Sequence, residues 1–367
     1  MTCNVSTRPG HRPAQRGIAL VIVLMMVMAM AIIVGTFTYS MKVESRLAFQ
    51  TDASGELNWL GLSAVEYAKW FMAQEQRAPG QQSFSGLNQR WAGGVGPRDL
   101  VDDPLEGLSL SNVEIGEGRV TIRIRDQERR ININQADAVQ LETALNRTGA
   151  PGESGEVLAA ALRDWIDADE FVTSGGGAES SYYLSLDPPY RAKNGPIDDV
   201  YELLKIKGIT PTQFFGGASA NGRRTGARAP LGQPLGGSSG SDPVGLVDLF
   251  CAISSGRVNI NTAPEAVLEV VLRGDSTLAH HAMQTRAGPD QIDGTEDDEP
   301  ARNDADIGRL LGPISAGQLG VQSRFTALST TFEVEIEATL GRSRARYVAL
   351  IQRRGIRDFQ TLVFRPE

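Results

Sequence analysis

The chain has 367 residues, with 36 lysines and arginines against 44 aspartates and glutamates, a net charge of −8 at pH 7. This length can hold two compact units in addition to an extended N-terminal helix. The acidic balance argues against binding to nucleic acid or anionic lipid through bulk electrostatics.

The first predicted element is an apolar segment, Ile18 to Met41, of 24 residues without a charge. A helix needs roughly 20 apolar residues to cross a bilayer, and a secretory signal has a shorter apolar core of about 7–15 residues. The segment therefore predicts a transmembrane helix. Arg8, Arg12 and Arg16 precede it, which predicts a cytoplasmic N-terminus and an exported body.

The helix is predicted to continue beyond the membrane. Apolar residues recur at three- and four-residue steps from Val43 to Met72, and no proline occurs between Ile18 and Pro79. One helix over about 18–76 is therefore expected. Two helices that break near Ser54-Gly55 are the alternative.

Strands are predicted on both sides of a helical region. Residues 108–115 and 118–125 form an expected hairpin, and the second strand alternates as a half-buried strand does. Residues 332–340 and 344–353 form a second hairpin around Gly341-Arg342, with glutamates facing arginines on the neighbouring strand. Residues 360–364 are expected to form an edge strand.

The helical region, about 134–322, contains an internal repeat. The sequence Ile131-Asn-Ile-Asn134 recurs as Val258-Asn-Ile-Asn261, 127 residues later, and a helix is expected after each copy. Thr262 and Glu265 have the spacing of a capping box for the second helix.

The start of the apolar segment carries a family resemblance. Arg16-Gly17 followed by Ile-Ala-Leu-Val-Ile-Val-Leu resembles the processing signal of type IV pilin-like proteins. The resemblance implies that a prepilin peptidase cuts between Gly17 and Ile18 and methylates the amine of Ile18. Removal of the three arginines in residues 1–17 would leave 33 basic against 44 acidic residues, a net charge of −11.

One departure from the pilin pattern narrows the resemblance. Pilins usually carry glutamate at the fifth mature residue, which neutralises a neighbouring subunit's terminal amine, and here that position is Ile22. The K-type minor pseudopilin of type II secretion systems also lacks this glutamate, and the chain resembles it in this respect. Further matching segments are Leu162–Asp169, Gly177–Ser180, Tyr182-Tyr183, Pro188–Asn194, Val200–Ile209 and Val258–Ala263.

The resemblance implies an α+β fold of the type IV pilin-like kind. Its long N-terminal helix and antiparallel sheet would carry a large inserted α-helical domain with helix-hairpin-helix-like repeats. The expected divisions are a leader (1–17), a transmembrane segment (18–41), a first pilin-like part (42–133), the helical domain (134–322) and a second pilin-like part (323–367).

The implied function is assembly. A K-type minor pseudopilin would cap or nucleate the periplasmic pseudopilus from the bacterial inner membrane, with its body in the periplasm. Its partners would be the other minor pseudopilins, the major pseudopilin, prepilin peptidase, and exported substrates or the secretin. The alternatives are a minor pilin of a type IV or competence pilus, and an uncleaved single-pass protein with a periplasmic binding or enzymatic domain.

The segment Leu204-Lys-Ile-Lys-Gly-Ile209 and the asparagine repeats also resemble helix-hairpin-helix units, which often contact DNA phosphates. Lys205 and Lys207 would supply positive charge. Three neighbouring acids and the acidic body oppose that role, so we expect a protein-contact domain and no nucleic acid partner.

Two acidic clusters are candidate calcium sites, because calcium takes six to eight oxygen ligands, commonly from several carboxylates. The first comprises Asp167, Asp169 and Glu179, in a helical domain where relatives of the resembled family bind calcium. The second comprises Asp290, Asp293 and Asp297 in an acidic loop. The alternatives are a solvated helix end and an exposed acidic insertion.

Catalysis has little support in the sequence. His280 and His281 are adjacent and therefore point in different directions, and motifs for a nucleophilic serine, a P-loop or a dinucleotide site are absent from the sequence. Cys3 lies in the predicted leader, and Cys251, the one cysteine after it, is expected to be a buried apolar residue. We therefore expect a protein that is not an enzyme.

Overall fold

The computed structural model describes residues 16–96, 105–149, 154–216, 244–312, 320–355 and 358–367. The chain divides into two compact units between Glu56 and Leu57. The predicted leader lies almost wholly outside the described residues, which begin at Arg16.

The first helix, α1, runs from Arg16 to Glu75 and confirms the predicted long N-terminal helix. It is helical through Ser54 and Gly55, so the predicted alternative of two helices is wrong. Its first part, Ala19–Ser45, has a mean hydropathy of 2.8 and is the single helix among the described residues that is long and apolar enough to span a membrane. This segment fits a single-pass membrane anchor.

The second unit contains a five-stranded antiparallel sheet, which was also predicted. Its order is β1-β2-β7-β8-β9, and all neighbouring strands are antiparallel. The strands are β1 Val113–Ile115, β2 Gly118–Asp126, β7 Thr331–Leu340, β8 Ser343–Arg353 and β9 Phe359–Pro366. β1 is shorter than predicted, because residues 108–112 do not pair with β2 as a strand.

One face of the sheet packs on the last turns of α1. Residues at helical spacing, including Leu60, Ala64 and Phe71, join the alternating apolar residues of β2, β7 and β8 in one buried core. A Cβ added at Gly61 would lie 2.8 Å from a ring carbon of Tyr347, so the helix and sheet approach closely there.

The other face of β2 differs from the prediction of a half-buried strand. Arg123 and Arg125 are buried, and Nη1 of Arg125 lies 3.3 Å from Oε1 of Glu335 on β7. Of the predicted pairs between glutamates of β7 and arginines of β8, Glu337 and Arg346 form a wide contact of 3.9 Å. β7 is the central strand, with arginines on both neighbouring strands. The closer of the two ion pairs joins it to β2.

A second core lies in the stretch between β2 and β7, where helices are the main regular elements. Its α-helices are α2 Ala138–Thr148, α3 Gly155–Ile166, α4 Ser180–Tyr183, α5 Pro211–Phe215, α6 Leu246–Leu249, α7 Glu265–Val271, α8 Ser276–Arg286 and α9 Asp304–Leu311. Short parallel pairs join β3 Ile131–Asn132 to β4 Phe250–Cys251, and β5 Val258–Asn259 to β6 Phe325–Thr326. Short 3₁₀ helices cover Arg90–Ala92, Ile133–Gln135, Val200–Lys205 and Val321–Arg324.

The internal repeat has the same hydrogen bonding in both copies. The first asparagine side chain, Asn132 or Asn259, accepts from the backbone N–H of the second asparagine at 3.0 Å. The second asparagine, Asn134 or Asn261, then donates to two backbone carbonyls and accepts one N–H from distant segments. Each copy is therefore a polar tie between segments far apart in sequence.

The predicted capping box at Thr262 is wrong. The N-cap of α7 is Pro264, and the Thr262 hydroxyl donates instead to Oδ2 of Asp126 at 2.5 Å. Asp126 is buried and also accepts from Ser329 and Asn259, so tertiary contact outcompetes the local cap.

Candidate functional site

The C-terminal end of α3 begins a candidate metal centre. Ser154 caps the start of this helix, and its last turn places Asp164 in the core with no exposed surface. Asp167 is the C-cap of the helix, and its backbone N–H donates to the carbonyl of Arg163 at 2.8 Å. Asp167 and Asp169 then lie on the turn that leaves α3.

A glycine loop returns the chain to the same place. Gly175 and Gly176 have φ of 101° and 114°, which side chains rarely allow. A Cβ at Gly177 would lie 2.2 Å from Oδ2 of Asp164, so the loop closes tightly over that carboxylate. Glu179 follows, directly before α4.

The predicted ligands Asp167, Asp169 and Glu179 are brought together. One carboxylate oxygen from each lies within 4.8 Å of the others, although nine residues lie between Asp169 and Glu179 in sequence. Glu179 is 1% exposed. Neither of its oxygens has a hydrogen-bond partner, and Oδ1 of Asp167 is also buried without one.

The carboxylates of this centre carry like charges and repel one another. Burial, followed by the charges of Asp164 and its neighbouring acids, raises the pKa of Glu179 to about 7. Burial and the charges of Asp169 and Asp164 also raise the pKa of Asp167. A bound cation or proton would remove the repulsion.

Asn194 adds an oxygen that sequence reasoning missed. Its Nδ2 donates to the carbonyl of Asp169 at 3.2 Å, while its Oδ1 is buried without a hydrogen-bond partner. Carboxylate and amide oxygens are the hard donors that calcium prefers. The residues therefore fit calcium, which Asp167, Asp169 and Glu179 would hold, with the unpartnered amide oxygen of Asn194 as a further candidate donor.

The second predicted cluster has a different arrangement. Arg286 is 3% exposed and forms a two-point ion pair with Asp293, at 2.9 and 2.7 Å. Oδ2 of Asp297 accepts from the N–H of Asp290 at 3.0 Å. Among the described residues, the only close group of three carboxylates is the one at Glu179, so Asp290, Asp293 and Asp297 do not gather around a shared position.

The remaining candidates are occupied by structural contacts. Nζ of Lys207 donates to the carbonyl of Gly176 at 3.0 Å, and the Lys205 carbonyl accepts from the Tyr190 hydroxyl. Cys251 is buried as expected, and burial raises the pKa of its thiol to about 12. His280 lies beside Glu265 at 3.2 Å and Gln284 at 2.9 Å.

Comparison with known proteins agrees with the architecture. Residues 111–214 match the family model described as "Type II secretion system (T2SS), protein K". The type II secretion system protein K of Aeromonas hydrophila is 25% identical over 362 residues, covering 92% of this chain and 93% of its own. That of Pectobacterium carotovorum subsp. carotovorum is 28% identical over 209 residues, covering 54% of this chain and 60% of its own.

A solved structure shares the fold over most of the chain. It is a chain of the GspK-GspI-GspJ complex from the enterotoxigenic Escherichia coli Type 2 secretion system, with a TM-score of 0.58 and 20% identity, covering 87% of this chain and 98% of that one. The sequence match to the family, its near-complete extent in one relative and the shared fold lead to one conclusion. The chain is a relative, in sequence and in fold, of the type II secretion system protein K proteins, the K-type minor pseudopilins.

Proposed function

We propose that this chain caps and nucleates the periplasmic pseudopilus of a type II secretion system by assembling with other minor pseudopilins. The observation that carries the proposal is Ile22, which stands where a pilin subunit normally has a carboxylate. The first acid after the predicted cut is Glu44.

An unpaired charge is unfavourable inside an apolar bundle of helices. Moving an unpaired charge out of water and into such a bundle costs several kcal/mol. A subunit with an internal position offers a carboxylate to a neighbour's amine, and this chain offers Ile22 instead. A subunit of that kind is best suited to a terminal position, where it needs no such pair.

The partners follow from the family and from the solved complex. That complex contains two further pseudopilins besides the chain that resembles this one. We infer that this chain likewise assembles with two sister minor pseudopilins, and through them with the major pseudopilin. The periplasmic body would contact the exported substrates or the secretin.

Processing and location belong to the same proposal. Prepilin peptidase would cut between Gly17 and Ile18 and methylate Ile18, and the segment at 19–45 would anchor the chain in the inner membrane. Residues 42–133 and 323–367 would form a pilin-like module, with the helical domain 134–322 inserted between them. The repeats of that domain would be helix-hairpin-helix-like packing units used for protein contact.

We also propose that the centre at Asp167, Asp169 and Glu179 binds calcium. The ion would supply the positive charge that the close carboxylates lack, and it would join the end of α3 to the start of α4. Its role would be structural, because it would fix a loop between two elements of the helical core. A second calcium site at Asp290, Asp293 and Asp297 would require Asp293 to leave Arg286.

The assembly is tested by co-expressing the full-length chain with the sister minor pseudopilins of its own secretion system and extracting them in detergent. We expect one complex with one copy of this chain by size-exclusion chromatography with light scattering. Separate elution of this chain at micromolar concentration, with the sister subunits folded, would contradict the proposed function.

A further inference from the structure

The tip of the loop beside the candidate metal centre carries two exposed apolar residues. Phe171 is 83% exposed and Val172 is 58% exposed. No large apolar side chain among the described residues is more exposed than Phe171, even on the apolar segment of α1, where the highest value is 73%. Single exposed apolar residues are common, but an adjacent pair at the tip of a hydrogen-bonded loop suits a contact surface.

The tip is held by the carboxylates of the same centre. On one side, the N–H of Phe171 donates to Oδ1 of Asp169 at 2.8 Å. On the other, the N–H of Thr173 donates to both oxygens of Asp164 at 3.1 and 3.2 Å. The geometry of the two apolar residues therefore depends on where these two carboxylates lie.

The carboxylates around Asp169 lack a counter-charge that a cation would supply. Glu179 is almost fully buried, with both oxygens unpartnered and close to Asp167 and Asp169. Residues 164–179 contain five acids and no lysine or arginine. Without a cation the acids repel one another, and the exposed side chain of Asp169 would turn away and release the N–H of Phe171.

We propose that Phe171 and Val172 form a cation-dependent docking point that inserts into an apolar socket with a basic rim on a sister minor pseudopilin. This inference rests on the proposed function, because it names a partner of the same assembly. Binding of the cation and of the partner would then be coupled through Asp169, so each would raise the affinity of the other by the same factor.

Charge selects a protein partner over a membrane. Asp169 and Glu170 lie directly before the tip and are exposed, which suits lysine or arginine around a socket. Even with one divalent cation, Arg163 and Lys207, the five acids leave this segment negative. An anionic bilayer would be repelled by it and by the acidic body.

The test uses the full-length chain in detergent and the purified sister minor pseudopilins. Their Kd is measured by biolayer interferometry in about 1 mM calcium, a concentration suited to weak extracellular sites, and again in excess EGTA. The double variant Phe171→Ala/Val172→Ala is compared with Ile292→Ala. Ile292 is a matched control because it is 60% exposed and lies in the other acidic loop.

We expect EGTA to weaken wild-type binding about tenfold or more, since the lost contact is that of a buried aromatic anchor. The double variant should bind about tenfold more weakly in calcium and respond little to EGTA, whereas Ile292→Ala should match the wild type. Calcium affinity of the free double variant should equal that of the free wild type, which shows that the centre and its fold are intact.

The outcomes separate the two proposals. If the wild type does not bind the sister subunits in calcium, the proposed function fails and this inference fails with it. If the wild type binds but the double variant binds equally well, only the docking point is wrong. Calcium-dependent binding of the wild type, but not the double variant, to phosphatidylserine vesicles would overturn the choice of a protein partner.

Discussion

Glu179 is the residue on which the metal centre depends most. Its buried carboxylate faces other acids without a hydrogen-bond donor. We predict that Glu179→Gln abolishes the rise in Tm that calcium gives the wild type, a stabilisation of about 2.7 kcal/mol at a calcium concentration a hundred times the Kd. In EGTA the same variant should melt higher than the wild type, because a neutral amide relieves the repulsion.

Glu156→Gln is the matched control for this experiment, since Glu156 is an exposed acid in the first turn of α3. It should leave the calcium response unchanged. A wild-type Tm that does not rise in millimolar calcium would contradict the calcium proposal.

Asp126 is a second buried acid, at the junction of the sheet and the repeat. Burial and the charge of Glu128 raise its pKa from 3.8 to about 7, although hydrogen bonds from Ser329, Thr262 and Asn259 oppose the shift. The folded state therefore binds more protons than the unfolded state between about pH 4 and 7. This group's contribution to the free energy of unfolding is greatest below that range and is lost as the pH rises through it.

We predict that Asp126→Asn removes this component. The free energy of unfolding of the wild type minus that of the variant should fall between pH 5 and pH 8, as measured by urea denaturation. The subtraction cancels acids common to both proteins, including Glu179. A difference that stays constant or grows with pH would show that Asp126 is ionised throughout.

These residues mark the limit of sequence reasoning at this scale. Asp167, Asp169 and Glu179 could be selected because acids crowd around a glycine loop. Asn194 and Asp126 could not, since each reaches its partners only through tertiary folding. The same limit explains the wrong prediction at Thr262. Its spacing predicted a helix cap, whereas its hydroxyl donates to Asp126 at the end of β2.

At the scale of elements, the asparagines of the internal repeat hold distant segments together by hydrogen bonds. Asn261 is 3% exposed and satisfies two carbonyls and one N–H of Ala301 and Ala327. Each buried group left unpaired costs about 1–3 kcal/mol. We predict that Asn261→Ala lowers the free energy of unfolding by about 3 kcal/mol or more, and Asn134→Ala by less, because Asn134 is only half-buried.

Urea denaturation measures both losses, with Asn58→Ala on the exposed side of α1 as the control. Equal and small losses, below about 1 kcal/mol, would mean that water replaces the side chain and that the ties carry little energy.

Long periodic elements were predictable and short ones were not. The apolar and amphipathic pattern predicted α1 as one helix, and alternation predicted β2, β7 and β8. The two-residue strands β3 to β6 have no period to detect, because their pairing is set by the packing of distant segments. The burial of Arg123 and Arg125 was equally hidden, since what covers a strand's second face is not local.

At the scale of the whole molecule, processing at Gly17 is the first requirement of the proposal. We predict that Gly17→Ala retains the leader, because the peptidase must admit the residue before the cut. Gly35→Ala is the matched control, since an added Cβ there meets nothing within 4 Å and should leave processing unchanged. Intact mass of the membrane-extracted protein distinguishes the forms, and normal processing of Gly17→Ala would contradict a pilin-type cut.

The central claim is the position of this chain at the end of the pseudopilus, and gold labelling tests it most directly. An epitope is added after Glu367, and pseudopili are sheared from cells and imaged by electron microscopy. The same epitope on the major pseudopilin serves as the control and should label the whole fibre. The account predicts gold at one end of each fibre that carries this chain. Gold distributed along the fibre would contradict it.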